Sequence, residues 1–136
     1  MKQSVIINSK IRSFNKIIHN VANDKSLSIR FLLIASLAKG ISKVSNLLNS
    51  EDVFSTINCL KKLGVKIEKK QKYYYVYGLG LGNFKKKKNI VLNAGNSGTL
   101  ARLLFGMLSN YSHKIKIVGD QSLSKRDFKR VIDPMI

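Results

Sequence analysis

The chain has no tryptophan, a single cysteine, a single proline and only 7 acidic residues, and each shortage removes a class of explanation. Cys59 alone can build neither a disulfide framework nor a thiolate metal site, so a reducing compartment is its natural setting. His19 and His113 lack a Cys or acidic neighbour at ligand spacing, and no metal site is expected. The longest apolar run, residues 31–38 with Ser36 inside it, is too short to cross a bilayer. Met1-Lys2-Gln3-Ser4 leads into a strand-like run rather than a secretory signal. A soluble, cytoplasmic protein is the expectation.

Positive charge, by contrast, is abundant: lysine and arginine number 25, the net charge is +18, and a polyanionic or phosphate-bearing partner is expected somewhere on the surface. Much of this charge has a simpler use. Lys61, Lys62, Lys69, Lys70, Lys72 and the run 85–88 fall in segments that read as loops or exposed faces, where lysine solvates. A length of 136 residues with 44% hydrophobic content suits one domain, or a piece of one.

The charges that cannot be dismissed lie in Asp24-Lys25-Ser26-Leu27-Ser28-Ile29-Arg30, at the start of a helix expected over residues 25–39 and ended by Gly40. Leu27, Phe31, Ile34, Ala35 and Ala38 follow helical spacing, and Ile29, Leu32, Leu33 and Leu37 fill most of the remaining circumference, so this helix should be buried. Charges beside a buried helix need partners, and the first turn of a helix presents unpaired N–H groups. Lys25, Ser26 and Arg30 therefore read as an anion site for phosphate or carboxylate.

Around this helix the elements follow in order. Residues 4–7 and 14–21 read as strands, 42–47 as another. Ser50-Glu51-Asp52 opens an amphipathic outer helix with Val53, Phe54, Ile57 and Leu60 as its stripe, stopped at Leu63-Gly64. Residues 65–69 and 73–77 form a strand pair, and 89–92 a further strand. Gly78, Gly80 and Gly82 look like a phosphate loop only superficially, because no helix follows them. Asn93-Ala94-Gly95-Asn96-Ser97-Gly98-Thr99 opens a third helix, apolar nearly all round except for Arg102; 114–118 alternates as a strand, and a last helix starts near Lys129. An offset of 71 pairs Ser26 with Ser97, Ser28 with Thr99, Leu32 with Leu103, Leu33 with Leu104, Leu37 with Leu108, Lys43 with Lys114 and Val44 with Ile115. A supersecondary unit is thus expected at least twice, with two helix mouths facing one surface.

Three stretches together resemble the 5-enolpyruvylshikimate-3-phosphate (EPSP) synthase family, the 3-phosphoshikimate 1-carboxyvinyltransferases: the run from Asp24 through Arg30, Asn93-Ala94-Gly95-Asn96-Ser97-Gly98-Thr99-Leu100-Ala101-Arg102, and Gly119-Asp120-Gln121-Ser122-Leu123-Ser124-Lys125-Arg126. The resemblance implies an α/β (α+β) fold of repeated βαβαββ units with buried parallel helices, in two lobes that form an inside-out α/β barrel. It divides this chain into leading strands at 1–21 that pack with a second lobe, a first unit at 22–92 and an incomplete second unit at 93–136. The implied reaction moves the enolpyruvyl group of phosphoenolpyruvate to the 5-hydroxyl of shikimate 3-phosphate, in aromatic amino-acid biosynthesis. No cofactor or metal, no nucleic acid and no membrane is implied, and a monomer at full length.

By the same resemblance, Lys25 is the catalytic residue and contacts both substrates. Ser26 and Arg30 bind shikimate 3-phosphate; Asn96, Gly98 and Arg126 hold phosphoenolpyruvate, and Gly98 leaves room for glyphosate, the family's inhibitor. The family's acid/base carboxylates fall beyond Ile136, so these residues read as an N-terminal fragment, inactive alone. The pattern departs from the family at Ala22, Asn23 and Ile29, where Pro, Gly and His are usual, and at Asp127-Phe128, where Pro-Met follows the Arg; an acid there is placed to draw Arg126 away. Two alternatives stay open. One is an enzyme resembling UDP-N-acetylglucosamine enolpyruvyl transferase, against which Ser26 and its spacing to Arg30 count. The other is a basic nucleic-acid-binding module that stacks bases on Tyr73, Tyr74, Tyr75 and Tyr77.

Overall fold

The computed structural model describes residues 22–85 and 89–135. The strands expected at 4–7 and 14–21, lysines 86–88 and Ile136 lie outside the described residues. Helix α1 (Lys25–Leu37) is started by Asp24, whose carboxylate accepts the Leu27 N–H at 2.6 Å. Helix α2 (Glu51–Lys62) is capped by Ser50, with Glu51 and Asp52 in its first turn and Lys61 and Lys62 in its last, each sign placed where the helix dipole favours it. It ends in a Schellman turn: the Val65 N–H reaches the Leu60 carbonyl and the Gly64 N–H the Lys61 carbonyl, both at 3.0 Å, with Gly64 at φ +97. Helix α3 (Gly98–Leu108) is capped by Ser97.

Where the structure departs from expectation, tertiary pairing is the cause. Helix α1 stops at Leu37 rather than Lys39, because the Ala38 carbonyl accepts the Gly80 N–H at 2.9 Å instead of continuing the helix. Strand β1 (Lys39–Ser45) then begins at once, so Gly40 sits inside a strand and not at a helix cap. The strand ends before Leu47 because Asn46 turns to φ +59. Beside it run β2 (Lys66–Lys70) and β3 (Tyr73–Leu79), giving an antiparallel sheet of order β1-β3-β2. Strands β4 (Ile90–Asn93) and β5 (Ile115–Val118) pair in parallel, and two short helices follow, α4 (Gln121–Ser124) and α5 (Lys129–Ile132). The last helix starts where expected, at Lys129, and passes after one turn into a 3₁₀ turn, Asp133–Met135.

The core is built from one face of each long helix: Ile29, Leu32 and Leu33 of α1, Val53, Ile57 and Leu60 of α2, and Leu100 and Leu104 of α3, with Val76 and Leu92 from the sheets. Each such side chain contributes about 1.5–3 kcal/mol, so this face dominates the stability. Contrary to expectation, α1 is not enclosed by the described residues. Leu27 and Ile34 are each 68% exposed and Phe31 is half-buried, so the side of the helix that carries them points outward. The helix carries two apolar faces, and the described residues cover only the one made by Ile29, Leu32 and Leu33. Phe54 of α2 likewise leaves the expected stripe and is exposed. Cys59 is buried with its thiol on the Asn93 carbonyl, and burial pushes its pKa up to about 11.

The 71-residue offset aligns α1 and α3 at their C-terminal ends and matches buried Leu33 with buried Leu104. It does not align their mouths. Ser97 is the cap of α3, whereas Asp24 caps α1 and Ser26 lies inside the first turn.

On the sheet, Tyr73, Tyr75 and Tyr77 share one face of β3, and Lys43 and Lys66 lie over the Tyr73 and Tyr77 rings at 3.9 and 4.7 Å. Glu68 serves the lysines Lys66 at 2.8 Å and Lys70 at 3.4 Å and accepts from the Tyr77 hydroxyl at 3.0 Å. The Lys66 and Tyr77 hydrogen bonds lower its pKa from the ordinary 4.5 to about 2. A depressed folded-state pKa gives stability that is complete above the unfolded value and lost as pH falls through the folded one. We therefore expect stability to drain between about pH 4.5 and about pH 2, and Glu68→Gln to flatten that part of a urea-midpoint-versus-pH curve. A wild-type curve as flat as the variant's across this window would refute the assignment.

Candidate functional site

Two helix mouths meet on the N-terminal turns of α2. From one side, the Lys25 ammonium pairs with the Asp52 carboxylate at 3.0 Å, the lysine half exposed and the acid largely covered. From the other, Gly95 packs so closely that a Cβ there would stand 3.0 Å from the Ser55 hydroxyl. Asp52 and Ser55 are three residues apart on one helix and so share a face. The first turn of α1 and the loop that opens α3 are thereby brought to the same end of the molecule.

At the α1 mouth the two serines divide their work. Ser28 is structural: its hydroxyl donates to the Asp24 carbonyl at 2.7 Å and accepts the Leu48 N–H at 3.0 Å, tying the loop before α2 to the start of α1. Ser26 lies half-buried on the first turn, and Arg30 stands on the exposed side of α1 beside a groove of about 540 Å³ lined also by Leu27, Phe31, Ile34 and Leu47. The glycines 78, 80 and 82 sit at the opposite end of α1, with Gly78 against the Ala35 and Ala38 carbonyls. A helix of 13 residues separates them from the mouth by about 20 Å, which excludes them from the site.

At the α3 mouth the loop is pinned from both sides. Ala94 N–H donates to the Val118 carbonyl at 2.8 Å, and Asp120 N–H to the Gly95 carbonyl at 2.9 Å. Across this loop the Arg126 guanidinium donates to the Asn96 amide oxygen at 2.7 Å, and the Asn96 amide nitrogen donates to Asp120 at 2.6 Å. Hydrogen bonds from the Leu123 N–H and the Asn96 amide hold the Asp120 carboxyl below the usual carboxylate range. A Cβ on Gly98 would meet one guanidinium nitrogen of Arg126 at 2.8 Å and one of Arg102 at 2.9 Å. Two cations thus flank the first residue of a helix whose leading N–H groups also favour an anion.

Asp127 does not draw Arg126 away. Its carboxylate accepts the Lys129 N–H at 2.8 Å, and its carbonyl accepts from Arg102 at 3.2 Å. Phe128 packs edge-on against Phe105 with centroids 5.6 Å apart and lies under the Arg102 guanidinium. Sequence reasoning passed over Arg102, Asp52 and Asp120. Arg102 had a signal, being the one cation in an apolar helix and one turn beyond Gly98. Asp52 and Asp120 had none, since a first-turn acid and a turn acid are fully explained by local structure. Among the described residues, no group of three His, Cys, Asp or Glu could hold a metal ion, and no helix is long and apolar enough to cross a membrane.

Residues 9–136 match the family described as EPSP synthase (3-phosphoshikimate 1-carboxyvinyltransferase). The 3-phosphoshikimate 1-carboxyvinyltransferase of Bacillus cytotoxicus is 45% identical over 115 residues, covering 85% of this chain and 27% of that protein. Its counterpart in Oenococcus oeni is 48% identical over 112 residues, covering 82% and 25%. A solved EPSP synthase from Acinetobacter baumannii superposes with a TM-score of 0.77 at 37% identity, over 85% of this chain and 26% of the other. The chain spans about a quarter of the length of the relatives it matches. With three motifs, a mixed α/β fold and two cation-flanked helix mouths in agreement, the chain belongs to the EPSP synthase family.

Proposed function

We propose that this chain supplies the shikimate 3-phosphate and phosphoenolpyruvate contacts of one lobe in an enzyme that transfers the enolpyruvyl group to the 5-hydroxyl of shikimate 3-phosphate. The observation that carries the reading is the meeting of two cationic helix mouths on α2, with Lys25 at one and Arg126 and Arg102 at the other. Each substrate bears a phosphate and a carboxylate, so a site for both needs several fixed cations at close range. Lys25, Ser26 and Arg30 take shikimate 3-phosphate, and Asn96, Gly98 and Arg126 take phosphoenolpyruvate.

In the reaction, the 5-hydroxyl gives up its proton as its oxygen bonds to C2 of phosphoenolpyruvate, and C3 gains a proton as the C2–C3 double bond becomes single, forming a tetrahedral intermediate. Phosphate then leaves C2 and C3 loses a proton, restoring the double bond. Lys25 reaches both substrates, offsets charge at the reacting carbon and takes part in proton transfer, while Arg126 holds the anion in place throughout. Residues 22–92 and 93–136 act as successive units of that lobe in a soluble cytoplasmic enzyme. The test is calorimetric titration of the purified 136-residue chain with shikimate 3-phosphate and, separately, with a single-stranded oligonucleotide. Saturable binding of the sugar phosphate is expected, with no phosphate release when both substrates are present. Oligonucleotide binding without sugar-phosphate binding would overturn the reading in favour of the tyrosine-lysine sheet face.

A further inference from the structure

We propose that Asp120 is a positioning residue that fixes the direction of Arg126 through the side-chain amide of Asn96. An asparagine amide has one accepting end and one donating end, and nothing in its shape decides which way it points. Asp120 decides it here. Its Oδ2 accepts from the Asn96 nitrogen at 2.6 Å, so the Asn96 oxygen must face the other way, where it accepts from Arg126 at 2.7 Å. An ionised carboxylate offers acceptors only, so the reverse orientation would set the amide oxygen against the carboxylate and the amide nitrogen against a guanidinium donor.

Asp120 can act as a rigid prop because two other hydrogen bonds fix it and the residue before it is closed in. Its Oδ1 accepts the Leu123 N–H at 2.7 Å as the cap of α4. Its own N–H donates to the Gly95 carbonyl at 2.9 Å, and the preceding Gly119 is closed in by Leu123 and the Gly95 carbonyl. The same hydrogen bonds hold its carboxyl below the usual carboxylate range. Arg126 is exposed and its side chain is long, so a single bond to a pre-oriented amide is what separates one aimed conformation from many. The inference rests on the reading of Arg126 as a phosphoenolpyruvate ligand only for its functional consequence; the orientation itself is independent of it.

Asp120→Ser and Asp120→Asn test it, since serine and asparagine both cap helices but neither can cap α4 and accept from Asn96 together. In ¹⁵N-resolved spectra of the unsubstituted chain, separate Arg126 guanidinium and Asn96 amide signals are expected. In both variants the Arg126 signals should merge toward the free-arginine position while the backbone amide spectrum persists, and phosphoenolpyruvate affinity should fall about 5-fold, the worth of one hydrogen bond. Asn96→Ser should have the same effect, and combining it with Asp120→Ser should add little. Unchanged Arg126 signals in Asp120→Ser, or additive losses in the double variant, would overturn the proposal. Phosphoenolpyruvate that fails to bind the unsubstituted chain, with the Arg126 signature intact, would overturn the ligand assignment and leave the orientation standing.

Discussion

Replacing Gly78 by alanine should cost about 3 kcal/mol or more and lower the melting temperature by about 10 °C, the largest effect expected of any single methyl in this chain. A Cβ at this position would stand 2.2 Å from the Ala38 carbonyl oxygen and 2.3 Å from that of Ala35. Both obstacles are backbone, so no side chain can swing aside; either β3 lifts from the C-terminal end of α1 or the pairing of β1 with β3 is lost. Gly106→Ala is the internal comparison. It lies on exposed α3 surface with open space around it, and alanine there should stabilise by about 0.5–1 kcal/mol through helix propensity alone. Thermal melts of the two variants should therefore move in opposite directions. A Gly78→Ala protein that melts with the wild type would mean that α1 and β3 do not meet as described.

Lys25→Ala should weaken shikimate 3-phosphate binding by about 30- to 150-fold, equivalent to about 2–3 kcal/mol for a charge-assisted hydrogen bond. The fold should hardly notice. Lys25 is half exposed and its bond to Asp52 is a surface ion pair, worth about 0–1 kcal/mol and less in salt. This separation of effects is what distinguishes a ligand contact from a structural one: a large fall in affinity with a melting temperature within about 3 °C of wild type. The Asp52 carboxylate favours conformations of Lys25 that lie at the mouth of α1, but a pair this weak leaves the ammonium free to turn to a ligand phosphate. An affinity for shikimate 3-phosphate unchanged by Lys25→Ala would remove this residue from the site.

The legibility of the chain varies with the range of the interactions that shape it. The start of α2 was legible because caps are local: Ser50 before two acids is recognisable within four residues, and the structure uses it. The end of α1 was not, because it is set by a bond from Gly80, more than 40 residues away, to Ala38. The burial of α1 was overestimated for a related reason. A helix apolar on two sides has no internal signal for which side its neighbours will cover, and among the described residues only the side of Ile29, Leu32 and Leu33 is covered.

The site divides along the same line. Of the residues proposed for the site, Lys25, Ser26 and Arg30 could be singled out because charge beside an apolar helix calls for a partner, and Asn96, Gly98 and Arg126 because their motifs resemble a family. What each side chain is bonded to could not. That Lys25 meets Asp52, that Ser28 ties down Leu48, and that Asp120 reaches Arg126 through Asn96 are pairings between segments 20 to 30 residues apart. Asp127 shows the same limit, since its charge beside Arg126 suggested competition, yet its carboxylate is spent on the Lys129 N–H. The sequence by itself determined where the three long helices lie, the cap of α2 and the chemical types gathered at the helix mouths, because those follow from neighbours a turn or less away. Only the tertiary structure decided which apolar face is covered, where α1 ends and how the cations are aimed, because those depend on hydrogen bonds and contacts whose two halves lie far apart in the chain.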